Sequence, residues 1–87
     1  MWEVKLSRKA LKDRNKTKQA RLSKSIQKLI EILKENPFKN LPPYEKLVGD
    51  LKGFYSRRIN VKYRLVYTLH SEEKIVVIRS IWTHYEN

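Results

Sequence analysis

No cysteine occurs in the 87 residues, and only two glycines do. The first absence removes any disulfide frame, thiolate zinc site or thiol nucleophile. The second removes a glycine-rich phosphate loop, since Gly49 and Gly53 are all there is to build one. No serine stands in a nucleophile elbow. The two histidines, His70 and His84, are 14 residues apart, without the spacing of a metal site. No metal or cofactor is therefore expected. The longest purely aliphatic run, Ile75 to Ile78, falls far short of the roughly 20 residues that a membrane-spanning helix needs. The opening Met1-Trp2-Glu3-Val4-Lys5 has no apolar signal core. A soluble, unprocessed, cytoplasmic chain with no membrane partner is the expectation.

Acid is scarce too. Nine Asp and Glu face 20 Lys and Arg, for a net charge of +11. A balance of that size points to a polyanion such as nucleic acid, or to an acidic protein partner. The excess is concentrated early: residues 1–34 carry 11 basic against 3 acidic side chains, residues 35–87 carry 9 against 6.

What is present suffices for one domain over residues 1–87 with a single modest core. Trp2 to Leu6 alternates apolar and charged residues, the pattern of a short half-buried strand. Ser7 is placed to cap a first helix over about residues 8–15, whose only apolar residues, Ala10 and Leu11, give a narrow contact stripe. Thr17 is placed to cap a second. There Leu22, Ile26, Leu29, Ile30 and Leu33 recur at helical spacing, covering about 100° of arc, with Arg21, Lys24 and Lys28 on the far side. That basic ridge is either an ordinary solvated face or a surface for RNA or an acidic partner. Pro37 ends the helix near Asn36. Residues 36–49 hold all three prolines and read as a rigid extended loop that carries Glu45.

Three arginines then stand inside a β-forming stretch. Odd positions from Tyr55 to Leu69 are Tyr, Arg, Ile, Val, Tyr, Leu, Tyr and Leu, while even positions from Ser56 to Thr68 are Ser, Arg, Asn, Lys, Arg, Val and Thr. Period-2 alternation of this kind describes a sheet with one packed and one polar face. A turn at Asn60 makes two antiparallel strands of it and puts Arg58 and Arg64 together on the open face. A guanidinium fork matches phosphate oxygens in a bidentate way that lysine cannot. A second turn at residues 70–74 leads to a last strand beginning Ile75-Val76-Val77-Ile78, whose four aliphatics suggest a central position covered on both faces. The order strand, helix, helix, strand, strand, strand predicts an α+β sandwich with the helices on one face of the sheet.

The residues left for chemistry are Glu45, Arg57, Arg58, Arg64, His84 and Tyr85. RNA brings its own nucleophile, the 2′-hydroxyl. A ribonuclease then needs a base for that proton, an acid for the departing 5′ oxygen, and a cation where charge develops. Glutamate can be such a base when its surroundings raise its pKa, and histidine such an acid. Each also has an ordinary reading: Glu45 as a solvated ion pair beside Lys46, and His84 and His70 as surface residues.

The blocks Leu51-Lys52-Gly53-Phe54-Tyr55-Ser56-Arg57-Arg58-Ile59, Tyr63-Arg64-Leu65-Val66-Tyr67 and His84-Tyr85 resemble the YoeB (Txe/YoeB) family of toxins in the RelE superfamily. Asn36-Pro37-Phe38 and Pro43-Tyr44-Glu45-Lys46-Leu47 extend the likeness, which covers roughly residues 22–85. It implies a RelE-like fold and the toxin of a type II toxin–antitoxin system, an mRNA interferase that cuts message in the ribosomal A site. Its partners would be mRNA, ribosomal RNA and a cognate acidic antitoxin, with a homodimer as a further state. It also implies Glu45 as general base, Arg64 at the scissile phosphate, His84 as general acid and Tyr85 on the bases. Arg57 and Arg58 match the family's paired arginines, as phosphate contacts or as sheet support. The chain departs from the pattern in having Lys46 where a proline is usual and Tyr63 where a histidine is frequent. Two other readings stay open: a non-enzymatic RNA-binding or ribosome-associated domain, and a ParE-like toxin acting on a protein target.

Overall fold

The computed structural model describes residues 1–18, 21–40 and 43–83. Among them the elements run β1 (Glu3–Leu6), α1 (Arg8–Thr17), α2 (Ser23–Glu35), β2 (Tyr44–Lys46), a 3-10 turn (Gly49–Leu51), β3 (Phe54–Arg58), β4 (Tyr63–His70) and β5 (Ile75–Thr83). The strands form one sheet in the order β1-β5-β4-β3-β2, with β1 parallel to β5 and every other pair antiparallel. This is the expected α+β arrangement with one addition. The proline-rich segment, read as a loop, gives a three-residue edge strand, β2, that pairs with β3 and carries Glu45.

The helices cover one face. Leu22, Ile26, Leu29, Ile30 and Leu33, all read from periodicity, bury against Leu65, Tyr67, Val76, Ile78 and Ile81 of the sheet. The central position of β5 is as expected, yet its covering is one-sided: Val76 and Ile78 are buried, Ile75 and Val77 only half so. Among the described residues no helix is long and apolar enough to cross a membrane.

Helix α1 holds the sheet by polar contacts as well as by Ala10, which is buried in the core. Ser7 caps it, accepting from the Ala10 amide at 3.1 Å, and its hydroxyl donates to the Arg79 carbonyl at 3.0 Å. One turn later the Asp13 carboxylate accepts from the Ile81 amide at 3.0 Å. β1 stops at Leu6, opposite Ile78, so the β5 backbone groups beyond that point that face away from β4 would lack partners if α1 and its cap did not supply them. Two expectations are corrected accordingly. Leu11 is 42% exposed and takes no part in the core. Thr17 belongs to the last turn of α1, where its hydroxyl donates to the Arg14 carbonyl at 2.7 Å, and α2 begins after Leu22 with no side-chain cap.

Candidate functional site

The open face of the sheet is set by register. Arg58 of β3 lies opposite Arg64 of β4, and Arg64 opposite Trp82 of β5. In the adjacent rank Glu45, Ser56, Val66 and Ser80 follow across β2, β3, β4 and β5. Side chains of one rank share a face, because successive residues of a strand alternate sides. The expected turn at Asn60 fixes this register: its side-chain oxygen accepts from the amides of Lys62 and Tyr63, both at 2.8 Å, and Ile59 donates to the Tyr63 carbonyl at 2.8 Å.

Arg64 is the hub. Its Nη1 lies 3.0 Å from Glu45 Oε1 and donates to Ser56 Oγ at 2.9 Å. The Arg64 side chain is 25% exposed and that of Glu45 63%. Among the described residues both contacts fall on Nη1, so Nη2 and Nε keep their donors for another acceptor. Ser56 is almost wholly buried and orients the arginine from below. Arg58 is exposed. Glu45, Arg58 and Arg64, together with Pro43, Ile59, Asn60 and Val61, line a cleft of about 510 Å³. A carboxylate, a half-shielded guanidinium and a second cation at its rim can bind an anion and accept a proton beside it.

Arg57 is elsewhere, and the expectation of an RNA contact for it is corrected. It is 0% exposed, because as an odd residue of β3 it points to the helix side. Its Nε donates to the Tyr67 hydroxyl at 3.0 Å, its Nη2 to the carbonyls of Pro37 at 2.9 Å and Lys39 at 2.6 Å, and its guanidinium lies 5.2 Å from the centre of the Tyr44 ring. Of its two expected roles, sheet support is the one this geometry allows. The support has a direction: Pro37 and Lys39 precede β2 and Tyr44 is its first residue, so Arg57 fixes the approach of the strand that presents Glu45. Tyr67 is drawn into the same knot, stacked on Tyr55 at 5.8 Å. Burial pushes its phenol above the usual 10.0, with the Arg57 charge working the other way.

His84 and Tyr85 lie outside the described residues. Among the described residues no three His, Cys, Asp or Glu side chains cluster as metal ligands. Sequence reasoning missed Ser56 as the support of Arg64, although its even position beside Arg57 assigned it to the polar face. It also gave no task to Trp82, whose place beside Arg64 needs the β4–β5 register to be seen.

Residues 7–85 match the YoeB-like toxin of bacterial type II toxin-antitoxin system family. Among curated proteins, Toxin YoeB of Synechocystis is 36% identical over 66 residues, covering 76% of this chain and 74% of the relative. Toxin YoeB of Streptomyces coelicolor is 39% identical over 57 residues, 66% of this chain and 68% of the relative. Among solved structures, the heterotetrameric YoeB-YefM toxin–antitoxin complex from Staphylococcus aureus contains a chain 32% identical, with a TM-score of 0.79, covering 98% of this chain and 99% of that one. A YoeB/ParE toxin from Agrobacterium tumefaciens superposes with a TM-score of 0.83 at 28% identity, covering 95% of this chain and 99% of that one.

Proposed function

This chain belongs to the YoeB-like toxins of bacterial type II toxin–antitoxin systems, and from that premise we propose that it is a ribosome-dependent endoribonuclease whose cleft over Glu45 and Arg64 holds the scissile phosphate of a message. The observation that carries the reading is the 3.0 Å pairing of Glu45 with Arg64 on the open face, beside the unshielded Arg58. A phosphate that engages the remaining donors of Arg64 comes to rest next to the Glu45 carboxylate. There Glu45 takes the proton of the neighbouring 2′-hydroxyl, the oxygen attacks phosphorus, and Arg64 stabilises the charge gathering on the phosphorane. His84 protonates the departing 5′ oxygen, and Tyr85 and Arg58 hold flanking nucleotides. The products are a 2′,3′-cyclic phosphate and a free 5′-hydroxyl.

The partners follow from the same premise. The relative from Staphylococcus aureus is in complex with the antitoxin YefM, and a cognate antitoxin is the counterpart of this chain. With 20 basic side chains against 9 acidic ones, the surface suits an acidic antitoxin segment with scattered apolar residues that folds on binding. The same charge supports a salt-sensitive hold on ribosomal RNA. The test of the chemistry is a message bearing one 2′-deoxy nucleotide at the cut position, offered in translating ribosomes. It resists cleavage while its all-ribose counterpart is cut. Efficient cutting of the deoxy message overturns the mechanism.

A further inference from the structure

Across β3, β4 and β5 one rank of the open face reads Arg58, Arg64, Trp82, and the chemistry above uses only the first two. Neighbouring strands stand about 4.8 Å apart, so an indole lies immediately on the β5 side of the arginine that takes the phosphate, as Glu45 lies toward β2. Ile81 before it enters the core, which turns Trp82 to the opposite face, and Trp82 is not among the side chains packed against the core cluster. Its ring is half-buried. Among the described residues its indole nitrogen makes no hydrogen bond, and its ring meets no other ring or cation, unlike Trp2, which stacks edge-on against Phe38 at 5.9 Å. A tryptophan placed so, with Ser80 and Arg79 as its nearest chain neighbours on the polar side, stands apart from the helix-side core.

We propose that Trp82 is a stacking platform for one nucleobase of the RNA, the base on the β5 side of the phosphate bound by Arg64. The proposal rests on the ribonuclease reading and adds to it a base-binding site. Any base presents a π-face, so the platform contributes affinity and fixes the position of the nucleotide without selecting a sequence by hydrogen bonds. Its neighbours do complementary work: Arg58 and Arg64 neutralise backbone charge and are weakened by salt, whereas stacking is not.

The test uses the whole chain and a short oligoribonucleotide, 2′-O-methylated throughout so that it binds without being cut and labelled to report binding by anisotropy. Trp82→Ala weakens binding about 5- to 100-fold, by the same factor at low and high salt, whereas Arg58→Ala flattens the salt slope. Trp82→Phe retains most of the affinity and Trp82→Leu does not, which separates a π-face from mere bulk. With Trp2→Phe the indole of Trp82 is the only one left, since the chain has two tryptophans, and its emission is quenched as RNA binds. An abasic nucleotide walked along the oligomer finds one position where wild-type binding falls and Trp82→Ala binding does not fall further, a readout that needs no variant to be fully stable. Unchanged affinity in Trp82→Ala, or unquenched Trp82 emission while anisotropy reports bound RNA, overturns the platform and leaves the ribonuclease reading standing. An oligomer that wild-type protein fails to bind at any salt, together with cleavage of the deoxy message, overturns both.

Discussion

Arg57 and Arg58 are consecutive in sequence and stand on opposite faces of the sheet, the first 0% exposed under the loop that leads to β2 and the second open to solvent beside the cleft. Strand geometry alone requires the split, because each successive side chain changes face. Its consequence is a division of labour. The buried arginine sets where the carboxylate strand runs, and the exposed one meets what comes to it.

Replacing each arginine therefore has a different signature. Arg57→Leu strips the Pro37 and Lys39 carbonyls and the Tyr67 hydroxyl of their donor and costs on the order of 3 kcal/mol. Arg57→Lys recovers only part of this, since an ammonium cannot reproduce the fork. Arg58→Ala changes stability by no more than about 0.5 kcal/mol and weakens RNA binding instead. Urea unfolding curves with RNA-binding assays on the same preparations check both. Equal midpoints for wild type and Arg57→Leu would show that the fork does not hold the loop.

Glu45→Ala and His84→Ala each slow cleavage of message by roughly 100-fold or more, the usual scale for a general base or acid. Ribosome binding survives in both. Arg64→Ala slows cleavage through lost charge stabilisation and weakens binding as well. The losses are non-additive, since the groups serve one transition state. Single-turnover rates on translating ribosomes are the measurement, and full activity in His84→Ala would take that residue out of the mechanism.

The alkaline limb of stability is set in part by Tyr67. Its phenol is raised above 10.0 in the folded chain, first by burial. In the unfolded chain it ionises at the usual value, so above about pH 10 the unfolded state gains from losing a proton that the folded state retains. The contribution of Tyr67 is complete below that pH and is lost as pH climbs toward the folded value. Tyr67→Phe is less stable at pH 8, for want of the Arg57 contact, and loses less of its stability between pH 9 and 11 than wild type does. Chemical denaturation across that range reads the slope. Parallel curves would remove Tyr67 from the account.

Asp13→Ala removes the acceptor of the Ile81 amide and costs about 1 to 3 kcal/mol. Ser7→Ala, which removes a cap and a contact to the Arg79 carbonyl, costs about 1 kcal/mol. Hydrogen exchange at Ile81 speeds up in the first variant and not in a control at exposed Lys12. Unaltered protection at Ile81 would mean that β5 does not depend on α1 for that bond.

Much of the fold was legible because its signals are periodic. Leu22 to Leu33 marks one helix face, and the alternation from Tyr55 to Leu69 is enough to place Arg58 and Arg64 together. The errors came where a residue is used through its polar atoms. Of the expected contact stripe Ala10 enters the core and Leu11 does not; α1 also meets the sheet through Ser7 and Asp13, whose partners lie 72 and 68 residues away. No local pattern carries that. Glu45 is legible as a candidate base and by its likeness to a family motif; its strand is not, because three residues after a pair of prolines give no periodicity to read. The alternation itself put Arg57 among the inward residues, and the habit of assigning charge to the surface worked against it.

The parallel pairing of β1 with β5 joins residues 3–6 to residues 75–78, and it has a bearing on the order in which the molecule comes into being. β1 is synthesised before β5 and waits for it, since among the described residues β5 is its sole neighbour in the sheet. Contacts so distant along the chain form late and slowly. The hairpin that bears Arg58 and Arg64 is local and can close as soon as β4 emerges, but the layer of helices has no complete sheet to lie on until β5 arrives. A chain cut short before residue 75 thus has a formed cleft edge and no finished core.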